Sequence, residues 1–385
     1  MLLSLYVKPS YRNGVSRWGG GMQASMRSRL QATFELQAKD NMRMLPMEGL
    51  RGVAVTLVFL QHYTSQSQLI GLSDAMTAGF AGAFRIYGNF GVDLFFVLSG
   101  YLIYGTLVHR GPGFGAFMLR RMQRIYPAFL VVFGLVLAIS LAIPAYGKLP
   151  GDAWAAAAYV VANLALLPGL FPVVPLVSVA WSLSYEMFFY LACGGAVLGL
   201  GVGSLTRTGR LIVIVTLGVA FAVASTIDLP DFPTRMLAFF PGMLLAEGVG
   251  RRIPPWAGLT APVVGFLAVF EHELSRTVME CIQAGAFFML CAVCFRGAGW
   301  VSRWMAWTPL RWLGNMSYSY YLAHGLVVKV VMEIVARVFT GGLPAVVFWG
   351  LLPMLFVMTV AVSAVLFAVV ERPYSLTQAR RAAAS

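Results

Sequence analysis

Arg51 and His62 lie eleven residues apart in EGLRGVAVTLVFLQHY, within the first long apolar run of the chain. On a helix, eleven residues are about eleven 100° steps, which return to within roughly 20° of the starting face. The same spacing separates the two groups by about 16 Å along the axis. One helix face would then carry a cation near one end and an imidazole near the other. Ionisable groups are costly in lipid, so such residues face a bundle interior and act there. An imidazole suits general-base work.

Other residues could share that task. Asp93 sits in GNFGVDLFFVLSGYLIYG, a few residues into the second apolar run. In an antiparallel hairpin it would reach a depth similar to that of His62. A carboxylate beside an imidazole fixes its tautomer and raises its basicity, although a purely structural polar pair would leave the same pattern. Gly91, Ser99 and Gly100 are small enough to let helices approach closely. In FMLRRMQRIYPAFL, Arg120, Arg121 and Arg124 share a broad helical face, and Pro127 is expected to start the next helix. Three guanidiniums suit a polyphosphate, which each can grip bidentately; they equally suit contact with anionic lipid. Glu186, in VAWSLSYEMFFYL, is a carboxylate inside an apolar run and requires a partner or a water-filled cavity. Trp181 and Tyr185 beside it read as interfacial aromatics. LGNMSYSYYLAHG brings Ser317, Ser319 and His324 to the membrane; a lone histidine there reads first as hydrogen-bonded structure. Glu371 in VERPYS either balances the arginine cluster or caps a structural contact. Ser99, Tyr126, Ser317, His324 and Glu371 complete the candidate pocket. Phosphate-binding P-loop, HExxH and GxSxG patterns are absent, so ATP-driven transport and serine or zinc hydrolysis gain no support. No metal is expected.

The elements that must position these residues are membrane helices. Hydrophobic residues make up 59% of the 385 and charged residues 11%, with a mean hydropathy of +0.77; a soluble chain carries about 25% charged residues. The first 45 residues are polar and basic, without the apolar core of a cleaved signal, and are expected to form a flexible cytoplasmic arm. Cys193, Cys281, Cys291 and Cys294 lie in apolar stretches without metal-ligand spacing. Runs long enough to span fall near 46–64, 89–108, 125–143, 181–200, 211–227, 235–250, 255–271, 277–295, 312–334 and 345–370. With ten spans and a cytoplasmic N-terminus, 21 of the 28 lysines and arginines fall inside. An eleventh span at 154–170 would move Arg207, Arg210, Arg251 and Arg252 outside, against the positive-inside rule. The expectation is therefore an all-α integral membrane protein of about ten transmembrane helices with both termini cytoplasmic. The segment 154–170 is then an outer or re-entrant element. The net charge of +13 follows this topology and the basic arm, and no nucleic-acid partner is expected.

GLRGVAVTLVFLQHY, GVDLFFVLSGYLI, RRMQRIYP, WSLSYE, LGNMSYSYYLAH and VERP occur in this order across about residues 47–374. Together they resemble the acyltransferase-3 family of bacterial multi-span membrane O-acyltransferases. The resemblance implies a transmembrane domain over 46–374, a short cytoplasmic tail at 375–385, and location in the bacterial inner membrane. It further implies an acyl-CoA donor, usually acetyl-CoA, a glycan or glycolipid hydroxyl as acceptor, and surrounding membrane lipids. In that family the residues matching Arg51 and His62 are tied to activity, and those matching Arg120, Arg121 and Arg124 to activity or donor binding; the aspartate of GVDLFF maps to Asp93. Some members continue into an SGNH esterase-like domain. The chain ends soon after VERP and is expected to lack one, which leaves open whether a periplasmic partner completes the transfer.

Depth and resemblance combine into one expectation. The donor phosphates meet Arg120, Arg121 and Arg124, and the donor arm passes Arg51. His62, oriented by Asp93, deprotonates the acceptor hydroxyl, directly or through an acyl-enzyme. The rival reading is a transporter or flippase that uses the buried Arg, His, Asp and Glu as a substrate or proton pathway. It predicts repeated topology and broken helices in the two halves, and neither is clear in the sequence.

Overall fold

The computed structural model describes residues 21–35, 44–143, 147–227, 232–271, 274–297 and 299–377. Most of the expected basic arm (1–45) and of the tail (375–385) lies outside them. Within the arm, Gly21–Phe34 is helical (α1). Its sequence GMQASMRSRLQATF lacks proline and is rich in residues that favour helix. The described residues fall into two units, 21–35 and 44–377.

The second unit is built from helices joined by turns among its described residues and holds the candidate chemistry. In chain order its helices are α2 (Leu45–Ile70), α3 (Ala75–Tyr87), α4 (Phe90–Arg110), α5 (Phe114–Ala142), α6 (Ala153–Leu164), α7 (Ala180–Gly194) and α8 (Arg207–Ala224). There follow α9 (Phe239–Ala246), α10 (Ala257–Ala268), α11 (Arg276–Phe295), α12 (Trp300–Met305), α13 (Thr308–Asn315), α14 (Ser317–Val338) and α15 (Ala345–Leu366). A 3₁₀ turn, Thr234–Ala238, leads into α9, and a π-helical stretch, Phe367–Thr377, continues α15.

Local chemistry sets several ends. Pro46 enters the first turn of α2, where its missing N–H costs nothing, and Glu48 follows at the positive end of the helix dipole. Asp74 caps α3 by accepting from Thr77 N at 2.8 Å. That bond holds the Asp74 carboxyl below the usual carboxylate range. Asp152 caps α6 through Ala155 N at 2.8 Å. Gly111, left-handed at φ +49°, closes α4.

Among the described residues, five helical stretches are long and apolar enough to cross a membrane: Ala75–Arg110, Phe114–Ala142, Arg207–Ala224, Arg276–Phe295 and Ala345–Ser375. Helices α2 and α14, with 26 and 22 residues, are about 39 and 33 Å long, but they carry the charged candidates. The run 181–200 is helical throughout Ala180–Gly199, α7 continuing into a π-helical turn at Gly195–Gly199. Two predicted spans differ from expectation: the runs 235–250 and 255–271 form α-helices of 8 and 12 residues. Proline and glycine interrupt them: Pro241 and Pro262 lie inside the short helices, and Gly248 and Gly250 adopt φ +76° and +87°. Helix α6 has 12 residues and at about 18 Å cannot cross a core about 30 Å thick.

Helix α5 begins eleven residues before the predicted span, so Pro127 lies inside it instead of starting it. Arg120, Arg121 and Arg124 are thereby carried on the same rigid helix as the apolar span. Proline deprives the Gln123 carbonyl of its helical donor.

Two glycine seams lock the core. A Cβ placed on Gly49 would lie 1.7 Å from Met305 O, on Gly52 2.2 Å from Leu310 O, and on Gly314 1.7 Å from Glu48 O, so α2 meets α12 and α13 backbone to backbone. Helices α4 and α9 meet likewise, with Gly100 at 2.2 Å from Phe239 O and Gly242 at 2.0 Å from Val97 O. Such approach replaces the hydrophobic effect, which lipid weakens, with packing. Arg311 Nε, 3.1 Å from Glu48 Oε2, reinforces the first seam.

Gly314→Ala forces this seam apart and is expected to cost about 1–3 kcal/mol, read as a lower midpoint in thermal aggregation of the detergent-solubilised protein. Gly285→Ala in α11, where no atom lies within 4 Å of the added carbon, is expected to leave that midpoint unchanged or raise it.

Candidate active site

Five helices converge on a cavity of about 150 Å³. Arg51 enters from α2. Helix α4 presents Val92, Phe95, Phe96 and Ser99, and α5 presents Arg121, Arg124 and Ile125. Ser182, Glu186 and Tyr190, four residues apart, come from one face of α7. Ser317, Tyr318 and Tyr321 come from the start of α14.

Polar contacts fix the walls. Ser99 Oγ donates to Glu186 Oε1 at 3.0 Å, and the Tyr190 hydroxyl donates to the same oxygen. The Glu186 carboxylate thus has the partner that its burial demands. Arg121 lies over the rings of Phe117 (5.7 Å) and Tyr190 (5.8 Å), while its Nε, and Ser317 Oγ, are buried without a hydrogen-bond partner among the described residues. Arg124 Nη1 is 2.5 Å from Glu371 Oε1, and its guanidinium stacks 5.6 Å from the Tyr318 ring. The other Glu371 oxygen accepts from Ser319 N (2.9 Å) and Ser319 Oγ (2.6 Å). Glu371 therefore spans from the α15 extension to both α5 and α14. The lining carries three guanidiniums against one carboxylate, a balance that favours an anionic ligand.

The histidines sit apart from this lining. Their rings form an edge-to-face pair with centroids 4.9 Å apart. His324 Nδ1 is 2.9 Å from Tyr320 O and must donate to it, which leaves Nε2 as a buried acceptor without a partner among the described residues. The Tyr321 ring, part of the cavity wall, lies 6.0 Å from His324. Its hydroxyl is held 3.1 Å from Val179 O and 2.6 Å from Ser182 Oγ.

The structure separates residues that the sequence suggested together. Asp93 does not turn to His62. Gly91 faces Ala54, Leu57 and Val58 of α2, and Gly88 faces Leu57 and Gln61. His62 is thus level with Gly88, about one turn beyond the Gly91 contact. Asp93, two residues after Gly91, is turned about 200° away from α2. Its neighbour is Arg235, with Nη1 3.6 Å from Oδ2. Arg120 is absent from the cavity lining, since it projects about 100° from Arg121 on the same helix. Tyr126 is also outside; it donates to Leu164 O at 3.0 Å and ties α5 to α6. Arg51, Glu186, Arg121, Arg124, Ser99 and Ser317 do gather, with Glu371 immediately behind and His324 beside His62.

Sequence reasoning missed Ser182, Tyr190, Tyr318 and Tyr321 as walls and Arg235 as the partner of Asp93. The i±4 spacing of Ser182 and Tyr190 about Glu186 was a usable signal; Arg235 had none. Among the described residues, no group of three or more His, Cys, Asp and Glu side chains is placed to hold a metal ion.

Residues 46–368 match the acyltransferase domain of the acyltransferase-3 family. The chain belongs to that family. It is an acyltransferase built on membrane helices. It is 27% identical over 267 residues to the exopolysaccharide production protein ExoZ of Rhizobium meliloti (strain 1021), covering 64% of this chain and 78% of that protein. It is 26% identical over 317 residues to the peptidoglycan O-acetyltransferase OatA of Listeria monocytogenes, covering 72% of this acyltransferase but only 48% of that relative. The acyltransferase thus matches about half the length of OatA. No solved structure matches it.

Glu371 is fully buried and shared by Arg124 and Ser319. Glu371→Gln is expected to destabilise the acyltransferase by about 3 kcal/mol, because it leaves a guanidinium without its charge partner. Adding Arg124→Gln is expected to recover part of that loss in a double-mutant cycle of thermal stability.

Proposed function

We propose that this acyltransferase moves an acyl group, acetyl in the simplest case, from cytoplasmic acyl-CoA to a hydroxyl of a glycan or glycolipid on the outer side of the bacterial inner membrane. The observation that carries this reading is the cavity of Arg51, Arg121 and Arg124 with the His62–His324 pair beyond its Tyr321 wall. The naming of relatives for exopolysaccharide production and peptidoglycan O-acetylation supports a glycan acceptor. The basic-residue count supports residues 46–374 crossing the membrane about ten times with both termini cytoplasmic. That orientation puts the arginine end of the cavity inside.

On this reading Arg121 and Arg124 hold donor phosphate or thioester oxygen, and Arg51 balances charge deeper in the cavity. His62 takes the proton of the acceptor hydroxyl as its oxygen attacks the thioester carbon. The carbon–sulfur bond breaks, the acyl group stays on the acceptor oxygen, and the proton leaves with the thiolate as CoA thiol. His324, with its Nδ1 proton committed to Tyr320 O, positions the His62 ring. Glu186, held by Ser99 and Tyr190, orders the cavity wall.

Purified protein in nanodiscs with radiolabelled acetyl-CoA tests the assignment. His62→Ala is expected to lower acetyl transfer about 10²–10⁴-fold with unchanged thermal midpoint and donor affinity. Full transfer by that variant would remove His62 from the chemistry. Arg121→Ala is expected to weaken acetyl-CoA binding about tenfold, and equal affinity would overturn its donor role. A transporter would move solute without consuming the donor.

A further inference from the structure

About 100° round α7 from its cavity-facing residues lies a second hollow, of about 620 Å³. The two share a helix: Ser182 and Glu186 line the cavity, while Trp181 and Tyr185, one residue earlier in each turn, line the hollow. Phe171 and Phe232 add further aromatic wall, and Arg235 and Arg276 supply the charge; no carboxylate is in the lining.

The wall is built, not merely left open. Asn163, almost fully buried, accepts from Leu176 N at 2.7 Å and donates to Tyr159 O and Val174 O at 3.0 and 3.3 Å, tying together the two ends of the 165–175 segment. Lys148 Nζ donates to Pro175 O at 2.7 Å. Within that segment Leu166 is held at φ +56°, the one non-glycine residue with positive φ among the described residues, a costly conformation for a branched side chain. Gly169, at φ +86°, lies so close to α7 that a Cβ would sit 3.0 Å from Trp181 Cβ. The segment is thereby pressed against the two aromatic residues that face the hollow.

The charge is held in place as well. Arg235 lies over the rings of Trp181 (5.6 Å) and Phe90 (5.8 Å) and donates to Asn89 O at 3.0 Å. Asp93, beside it, is buried with neither oxygen hydrogen-bonded among the described residues. Arg276 pairs with Glu280 at 3.1 Å, yet its side chain remains 72% exposed. Only its Nε is held by that pair, and a guanidinium carries further N–H donors that a ligand can use.

We infer that this hollow is the acceptor subsite and that it takes an acidic glycan, a chain of pyranose rings bearing carboxylates. The inference rests on the acyl-transfer reading and names its substrate class. A pyranose presents a face of polarised C–H bonds, which suits the exposed ring of Phe171 beside the half-buried Trp181. Its hydroxyls need wet surroundings, which the open hollow supplies. A carboxylate on the ring or its substituent matches a guanidinium in bidentate geometry. A volume of this size takes about two sugar units. The shared turn of α7 then sets a bound ring against the wall of the cavity, whose far side is lined by Ser182, Glu186 and Tyr321.

The test uses the full chain in nanodiscs of zwitterionic lipid, with trigalacturonate and its neutral methyl ester as probes and tryptophan fluorescence as the readout. Trigalacturonate is expected to bind, weakening with salt, and the ester at least tenfold less well. Arg276→Gln is expected to bring trigalacturonate down to the affinity of the ester, while Arg276→Lys, which keeps the charge, retains most of the difference. Equal binding of both probes, or of neither, by protein that binds acetyl-CoA normally would overturn the inference. So would displacement of the signal by glycerol phosphate, which would assign the hollow to a lipid headgroup. Charge-dependent glycan binding without any acetyl-CoA binding would instead uphold the subsite and sink the donor reading.

Discussion

Where Gly314 meets the Glu48 carbonyl, and Gly49 and Gly52 meet α12 and α13, no side chain fits between the helices. That contact fixes the axial position of α2, and α2 carries Glu48, Arg51 and His62. Packing inside lipid gains little from burying apolar surface, so depth and register must come from steric fit. A larger side chain at this crossing would move the cation and the imidazole together, relative to every other wall of the site. The second seam, Gly100 against Gly242, does the same for α4 and therefore for Ser99 and Asp93.

With the helices so placed, several buried charges have a specified neighbour. Glu371 answers Arg124, Glu48 answers Arg311, and Glu247 answers Arg210 with oxygens at 2.6 and 3.0 Å. Buried pairs of this kind add little net stability over apolar residues, but losing one partner is expensive. They act as register pins. Arg51 and Arg121 differ in that no ion pair is formed with them among the described residues, so their charge is directed into the cavity. The arginines thus divide into those that hold helices together and those that face the cavity, and Arg124 does both.

The family and the helical membrane character were legible from residue strings in order, because hydropathy and short motifs are local properties. Much of the candidate cavity was legible for the same reason: Arg51, Arg121, Arg124 and Glu186 are charges in apolar runs. What failed was pairing across helices. Asp93 was expected opposite His62 because both lie near the same end of adjacent helices, but depth alone omits rotation about the axis, and Gly91 turns Asp93 away. His324 looked isolated in sequence, yet α2 and α14 pack side by side and bring its ring to His62. Pro127 misled about the start of α5, since proline marks the first turn in water-soluble helices more strictly than in helices whose freed carbonyls find other partners.

Tyr321 has a kinetic consequence. Its ring stands in the wall between the arginine-lined cavity and the histidine pair, clamped by Ser182 and the Val179 carbonyl. On the proposed chemistry, a thioester resting in the cavity is screened from the base until that phenol moves. Water that enters alongside the donor then finds no activated proton acceptor, and idle hydrolysis is suppressed. The shared turn of α7 joins Ser182, one half of that clamp, to Trp181 in the wall of the neighbouring hollow. Timing, rather than affinity alone, would decide which hydroxyl receives the acyl group.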